Sequence, residues 1–373
     1  IRRLIAMQND DSRDRQKRTF EKFGIPLCDV TMLKLPEGFN GFFIHMDHRL
    51  IDSCGLVVMI NDLMQLYTHY RFKSAYPEDL ADFEKVLAND LKKANNEKRF
   101  AKDKKFWDDQ LDALGEPLYS DIQGPSVLEE ARKRHGNKNL RAADIELEKL
   151  FVDVKDYYLE PEPTKNLLHF CMNHQLSMTN LLLLGIRTYL SKVNNGQEDI
   201  TIQNFISRRS THDEWTSGGS RTIMFPCRTV IPLETDFMSA AYEIQNVQNK
   251  IYMHSNYDPA LIMEEMRRRY QTPEHTAYES CYLTYQPLPV KMDNPHLEQI
   301  PQHSKWFANG AATKKMYLTV SHTEHGGMNF SYHYQTAHLQ EHDMELLYYY
   351  MMRILFKGIA EPDMSIGEIM EQV

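Results

Sequence analysis

Four titratable side chains fall within eight residues of the stretch FNGFFIHMDHRLIDSCGLVV (39–58): His45, Asp47, His48 and Asp52. Apolar runs flank them on both sides. Such a group can supply a general base, a pair of histidines on a metal, or a pair of carboxylates; it can also be a polar turn between a strand and a helix. A histidine at a chain turn suits proton transfer because its ordinary pKa lies near neutrality. An Asp four residues later can fix that turn by pairing with a distant cation. A zinc site needs convergent ligands, yet alternate strand residues point to opposite faces, so His45 and Asp47 share a face that His48 leaves. No metal is assigned.

The elements around this group change period at it. NGFFIHM (40–46) has the pattern of a short apolar strand entered from the turn PEGFNG. Beyond it Leu56, Met59, Ile60, Leu63, Tyr67 and Tyr70 recur at spacings of three and four, which predicts an amphipathic helix. Ser53 is placed to cap that helix, and Asp52 stands at the positive end of its dipole. Cys54 is read as a small packed residue whose thiol the helix start would mildly acidify.

Other chemistries find less in the chain. There is no GxSxG elbow and no GxxxxGK[ST] loop, and SGGS (217–220) is a plain turn signal. SHTEHGG (321–327) is expected to be a polar hairpin end with His322 and His325 exposed on it.

A chain of 373 residues implies about two domains, and 42% hydrophobic with 25% charged residues is an ordinary globular composition. The net charge of −9 argues against a general nucleic-acid binder; the basic clusters RKRH (132–135) and EEMRRRY (264–270) read as solvated helix faces. No apolar run approaches the ~20 residues of a membrane-spanning helix. Five dispersed cysteines without CxxC spacing suit free thiols in a reducing, cytoplasmic compartment.

KKFWDDQLDAL (104–114) predicts a short helix anchored by Trp107, and MTNLLLLGIRTYLSKV (178–193) a buried one. Strands are expected in DITIQNFIS (199–207), SRTIMFPCRTVIPL (220–233), ESCYLTYQPL, KKMYLTVSHTE and GMNFSYHYQ. Helices are expected in SAAYEIQNVQNKIYMH, in DPALIMEEMRRRY with Asp258 and Pro259 as cap and first turn, and around EHDMELLYYYMMRILFKGI. YLEPEPTKN (158–166) is the boundary candidate, giving an N-terminal subdomain 1–160 that carries the HxxxD motif and a C-terminal subdomain 161–373.

The order of these segments resembles the condensation domains of nonribosomal peptide synthetases. FEKFGIPLCDVTMLKLPEGFNGFFIHMDHRLIDSCGLVVMINDLMQLY is similar to the family's first strands, its HHxxxDG motif and the helix after it. KDKKFWDDQL, HQLSMTNLLLLGIRTYLSKVNNGQEDITIQNFISRRS and MSIGEIM extend the likeness over nearly the whole chain. The resemblance implies an α/β (α+β) fold of two chloramphenicol acetyltransferase-like subdomains in a V-shaped pseudo-dimer. Only 47 residues precede His48 and no initiating Met is present, so the N-terminal subdomain is expected to be incomplete.

Residue by residue, the resemblance makes His48 the functional histidine of HHxxxDG and Asp52 its turn-fixing aspartate. Arg208 or Arg209 of ISRRS becomes the arginine paired with that aspartate. His45 then belongs to packing. The implied reaction joins an acyl or peptidyl thioester on a phosphopantetheine arm (or coenzyme A) to an acceptor amine, with no bound cofactor. Backbone N–H groups from Ser53 through Cys54 to Gly55 are the oxyanion candidates, and Asp47 stands with them as a candidate for binding substrate. The implied partners are donor and acceptor carrier proteins and an adenylation domain, with Arg267 to Arg269 as a basic surface for an acidic carrier helix. Two departures stand out: Asp47 replaces the family's first histidine, and Ser53 its motif glycine. Asp47 and Asp52 also spell DxxxxD, which resembles heterocyclization domains, although His48 is retained and Gly55 stands where those domains carry serine. A degenerate, recruiting domain is the third reading.

Overall fold

Residues 26–34, 38, 40–286, 295–298, 310–323 and 325–373 are described by the computed structural model of the chain. Residues 1–25 and part of the PEGFNG turn lie outside them. In chain order the elements are β1 (Cys28–Lys34), β2 (Asn40–Met46), α1 (Ser53–Phe72), α2 (Phe83–Ala94), α3 (Glu97–Leu114), α4 (Ser126–Arg134), β3 (Ala143–Asp144) and β4 (Val152–Leu159). There follow α5 (Pro161–Asn173), α6 (Met178–Val193), β5 (Asp199–Ser207), α7 (His212–Thr216), β6 (Thr222–Val230), α8 (Phe237–Met253), α9 (Pro259–Tyr270), β7 (Thr276–Ala277) and β8 (Cys281–Gln286). The last are α10 (Pro295–Glu298), β9 (Met316–His322), β10 (Met328–Gln335), α11 (Glu341–Ala360) and α12 (Ile366–Gln372).

These elements form two compact units. Of the described residues, unit 1 takes those up to Asp90 together with 207–222 and 295–298, and unit 2 takes the rest. The units part at Asp90 and not at residue 160. The stretch from α3 to β4 is built into unit 2 because its apolar groups are spent there. Trp107 stacks on Phe225 with ring centroids 5.6 Å apart, and β4 pairs along its length with β10.

In unit 1, β1 and β2 pair antiparallel, with Cys28 opposite Met46 and Lys34 opposite Asn40. The turn after β2 leads into α1, which ends on Lys73 in the left-handed region (φ 60°) with its N–H returned to the His69 carbonyl. Only Gly55 and Thr68 of α1 are buried. In this unit, apolar burial along the helix is therefore sparse.

Unit 2 is organised by a six-stranded sheet in the order β4-β10-β9-β8-β5-β6. The β8–β9 and β5–β8 pairs are parallel, and β10 runs antiparallel to both β9 and β4. Burial alternates along β9 and β10, so Met316, Leu318, Val320, Met328, Phe330 and Tyr332 line one face completely. Helix α6 packs against α5, α8, α11, α12 and β8, which explains its all-round apolar sequence. Arg187 is the exception inside it. Its guanidinium donates to the Glu198 carbonyl at 2.6 Å and to the Thr229 hydroxyl and the Ile231 carbonyl at 3.3 Å. Burial lowers its pKa to about 10.

Candidate active site

Strand β2 ends at Met46, and the Asp47 N–H donates to the Leu27 carbonyl at 2.9 Å, so β-pairing holds the chain up to the turn. The turn itself is closed by the Leu50 N–H on the Asp47 carbonyl at 3.0 Å. The Asp47 carboxylate accepts from the Arg49 backbone N–H at 2.8 Å and from its guanidinium at 3.0 and 2.7 Å. Those hydrogen bonds from Arg49 hold the Asp47 carboxyl below the usual carboxylate range. Asp47 and Arg49 thus clasp the turn on either side of His48, which is exposed. His45 is a packing residue, its ring stacked with that of Phe43 at 6.5 Å between centroids.

Four residues on, Asp52 is 3% exposed and saturated with donors. One carboxylate oxygen accepts from the Gly55 N–H at 2.8 Å and Arg209 Nη2 at 3.0 Å. The other accepts from Arg209 Nη1 at 2.7 Å, the Arg221 N–H at 2.8 Å, the Thr222 N–H at 3.0 Å and the Thr222 hydroxyl at 2.9 Å. Burial alone would push this carboxyl up; the Arg209, Gly55 and Arg221 donors outweigh it and hold the pKa below the ordinary value.

The cap of α1 is therefore Asp52, not Ser53: the Asp52 backbone is extended and its side chain receives the Gly55 N–H. A carboxylate outcompetes a hydroxyl here because one group caps the helix and neutralises a buried arginine together. Ser53 is the first helical residue, half-buried. The Gly55 N–H, expected as an oxyanion donor, is already committed to Asp52. The N–H groups of Ser53 and Cys54 remain, since the first turn of a helix has no carbonyl behind it to accept them. The Cys54 thiol is not acidified. Its burial is the largest influence and raises its pKa, against a smaller opposite pull from Arg209.

Of the two arginines left open by sequence, Arg209 makes the ion pair to Asp52, with its side chain 0% exposed. Its guanidinium also donates to the Gly218 and Gly219 carbonyls at 3.2 and 2.8 Å. Arg208 instead meets Arg221 through its backbone: its N–H donates to the Arg221 carbonyl at 3.1 Å, and its carbonyl accepts from the Arg221 side chain, Nη2, at 3.1 Å. Arg221 extends the network to Asp90 at 2.6 Å and to the buried Glu214 at 3.2 Å. Glu214 in turn closes the capping box of α7.

The SGGS segment proves to be part of this assembly. Gly218 and Gly219 have φ of +72° and +71°, which turns their carbonyls toward Arg209. A Cβ on Gly219 would lie 2.1 Å from the Phe83 ring, and one on Gly55 would lie 2.4 Å from the Gly219 carbonyl oxygen. Gly55 is thus required for the close approach of α1 to this loop.

Sequence reasoning missed Arg221, Thr222, Glu214, Asp90 and the two glycines. Their signal was weak, because the residues that meet Asp52 are 157 to 170 positions away along the chain. Elsewhere, His322 is half-buried at the end of β9 and shares a 2.6 Å hydrogen bond with the Tyr285 hydroxyl, so it is not an exposed turn residue. The basic run on α9 is also largely neutralised. Arg268 pairs with Glu265 at 2.6 Å, and Arg269 pairs with Glu265, Asp108 and Asp112. Among the described residues no three His, Cys, Asp or Glu side chains gather as a metal site, and no helix is long and apolar enough to cross a membrane.

The fold is that of solved condensation domains. The first condensation domain of the calcium-dependent antibiotic synthetase, solved with a substrate analogue, matches with a TM-score of 0.72 at 16% identity, over 97% of this chain and 76% of that one. VibH, a condensation enzyme of nonribosomal peptide synthesis, matches with a TM-score of 0.72 at 12% identity, over 97% of this chain and 80% of its own. The model of the family described as Condensation domain matches residues 7–371. The chain belongs to that family, the condensation domains of nonribosomal peptide synthetases. A plipastatin synthase of Bacillus subtilis (strain 168) is 19% identical over 359 residues, which are 96% of this chain and 13% of that protein. The chain thus spans about an eighth of this relative's length.

Proposed function

We propose that the chain joins a carrier-bound acyl or peptidyl thioester to an acceptor amine, forming an amide. The observation that carries this reading is the pinned turn. His48 is exposed at the end of a paired strand, and four residues later Asp52 is locked to Arg209, Arg221, Thr222 and the α1 N-terminus. A side chain on such a turn has its direction fixed from both ends.

In the proposed step the amine nitrogen attacks the thioester carbonyl, with His48 accepting or orienting the proton that the nitrogen gives up. The C–S bond breaks, the electron pair leaves on sulfur, and the proton is returned to that thiolate as the free phosphopantetheine thiol. The Ser53 and Cys54 N–H groups are the donors left for the carbonyl oxygen as it gains negative charge. Asp52 and Arg209 are positioning residues and do not touch the reacting atoms. Both substrates come on phosphopantetheine arms, so the proposed partners are donor and acceptor carrier proteins in a cytoplasmic assembly line with adenylation domains.

Heterocyclization draws on Asp47 and Asp52 acting as a DxxxxD pair. The two carboxylates are separately engaged, Asp47 with Arg49 and Asp52 with Arg209, which supports plain condensation. Intact-mass measurement of the acceptor carrier tests the choice with a Cys, Ser or Thr acceptor. The expected product carries the donor acyl mass without further change; loss of a further water assigns the chain to cyclization. Absence of product with every loaded carrier pair assigns it to the recruiting class.

A further inference from the structure

In the sheet of unit 2, alternate residues of β8 and β9 point to opposite sides, and Leu283 and Leu318 lie on the fully buried side. The other side presents Phe205 of β5, Tyr282 of β8 and Tyr317 of β9, all half-buried, on strands that neighbour one another in the order β9-β8-β5. Tyr282 and Tyr317 are register partners, and the ring centroids of Phe205 and Tyr317 are 5.2 Å apart. Both tyrosines are pinned at their hydroxyls. Tyr317 donates to the Thr284 hydroxyl at 2.9 Å, and Tyr282 bonds Glu279.

Lys314, just ahead of β9, places its amine among these rings. Its Nζ is 4.7 Å from the Phe205 centroid and 5.5 Å from those of Tyr282 and Tyr317. A lysine that only covers apolar surface lays its methylenes there and keeps its nitrogen in water; here the nitrogen itself stands over the rings. Among the described residues the Lys314 side chain makes no ion pair and no hydrogen bond. Its neighbour Lys315 is bound to Asp121 at 2.6 Å, and Lys104 to Asp108 at 2.7 Å. Ring faces return part of the stabilisation that an ammonium loses with water. No carboxylate completes it, and burial lowers the Lys314 pKa. The residue is half-buried, so the amine is not sealed from solvent.

We propose that Lys314 is a nucleophilic amine that takes up acyl groups from small acyl thioesters, with the rings of Phe205, Tyr282 and Tyr317 seating the transferred chain. Nζ, as the free amine, attacks the thioester carbonyl. An N–C bond forms, and the C–S bond breaks with its electron pair on sulfur. The proton given up by nitrogen ends on that thiolate, so the products are acyl-lysine and a free thiol. A lysine desolvated in an apolar pocket is a recognised form of activated nucleophile. The product also suits its surroundings better than the reactant. A neutral amide replaces an ammonium that burial disfavours, and its apolar chain meets aromatic faces. The inference is separate from the condensation reading, since it needs no carrier, no acceptor amine and no residue of the His48 turn.

The test incubates the chain with butyryl coenzyme A and follows acylation of each lysine by proteolysis and mass spectrometry. Lys314 should gain the butyryl group several-fold faster than Lys98 and Lys102, which are exposed on α3. Lys314→Arg should remove that product and leave the label on Lys98 and Lys102. Phe205→Glu sets a carboxylate beside the amine and should slow Lys314 to the pace of the exposed lysines. Phe205→Leu keeps the site apolar and should retain the fast reaction; thermal melts of both variants separate the effect of charge from a loss of folding. Labelling of Lys314 no faster than that of Lys98 and Lys102, or a fast rate that survives Phe205→Glu in a folded chain, would overturn the proposal. Because the assay holds neither carrier nor acceptor amine, its failure is distinct from a failure of the condensation reading.

Discussion

Unit 1 and unit 2 each contain a nearly solvent-free centre, and the two are built from opposite materials. In unit 2 the centre is α6 and its sheet, where Leu181, Leu182, Leu184, Leu318 and Phe330 are all 0% exposed. In unit 1 it is Asp52 with Arg209, Arg221 and Glu214, exposed by only 3 to 6%. An apolar core is held by area and tolerates reshaping if its volume is kept. A charge network is held by direction, and loses most of its value when one partner is removed. Unit 1 therefore fixes the geometry of a short turn with few apolar contacts, while unit 2 supplies bulk stability.

The largest expected effect tests that contrast. Asp52→Ala leaves Arg209 buried without its carboxylate and should destabilise unit 1 by about 3–5 kcal/mol. Amide hydrogen exchange should accelerate in α1 and in residues 217–222 and stay slow in α6; uniform acceleration would erase the distinction between the centres. The pH dependence has a fixed sign. The Asp52 carboxyl lies below its ordinary value in the folded chain, so the stability it contributes is complete above the unfolded pKa of about 3.9 and is lost as pH falls through the lower folded value. Protection in α1 should therefore show an acid-dependent loss that Asp52→Asn removes.

Leu183→Ala, at 1% exposure in α6, should cost about 2–5 kcal/mol through the cavity it leaves. Its effect belongs to unit 2, seen as lowered protection of α6 and β8. Gly219→Ala should cost about 1–3 kcal/mol, since the new methyl meets the Phe83 ring and the backbone has positive φ; thermal melts measure it. Arg49→Ala removes an exposed side chain from Asp47 and should leave the thermal melt nearly unchanged. Its signature is a rise of the Asp47 carboxyl pKa toward the ordinary value, read by NMR titration.

How much of this was legible in the sequence follows the same division. Periodicity located β2, α1, α6 and the strands of unit 2; in unit 2 the pattern follows repeating apolar burial, whereas the apolar positions of α1 are left half-buried or exposed. The cap and first-turn proline of α9 were legible because a cap acts on its own helix, Asp258 accepting from the Ala260 N–H at 2.9 Å. The polar centre left no such pattern. Arg208 and Arg209 are neighbours in sequence, and only the backbone path after β5 decides which one turns inward. SGGS looks like any glycine turn, since its task is set by Arg209 and Phe83, which sequence spacing does not reveal. Local sequence favours Ser53 as the cap, because the demands on Asp52 come from residues more than 150 positions away. Arg187 is hidden in a run of leucines, since its acceptors are carbonyls beyond α6.

The central claim is that the pinned turn exists to present His48. The direct measurement is the single-turnover rate of amide formation by His48→Ala, with a donor acyl carrier and an aminoacyl carrier loaded beforehand, alongside its thermal unfolding. In the proposed reaction the rate should fall by about 100-fold or more with unfolding unchanged, because His48 is exposed and its proposed part is in the chemistry and not in the fold. Product formed at the wild-type rate by a fully folded His48→Ala chain would contradict it.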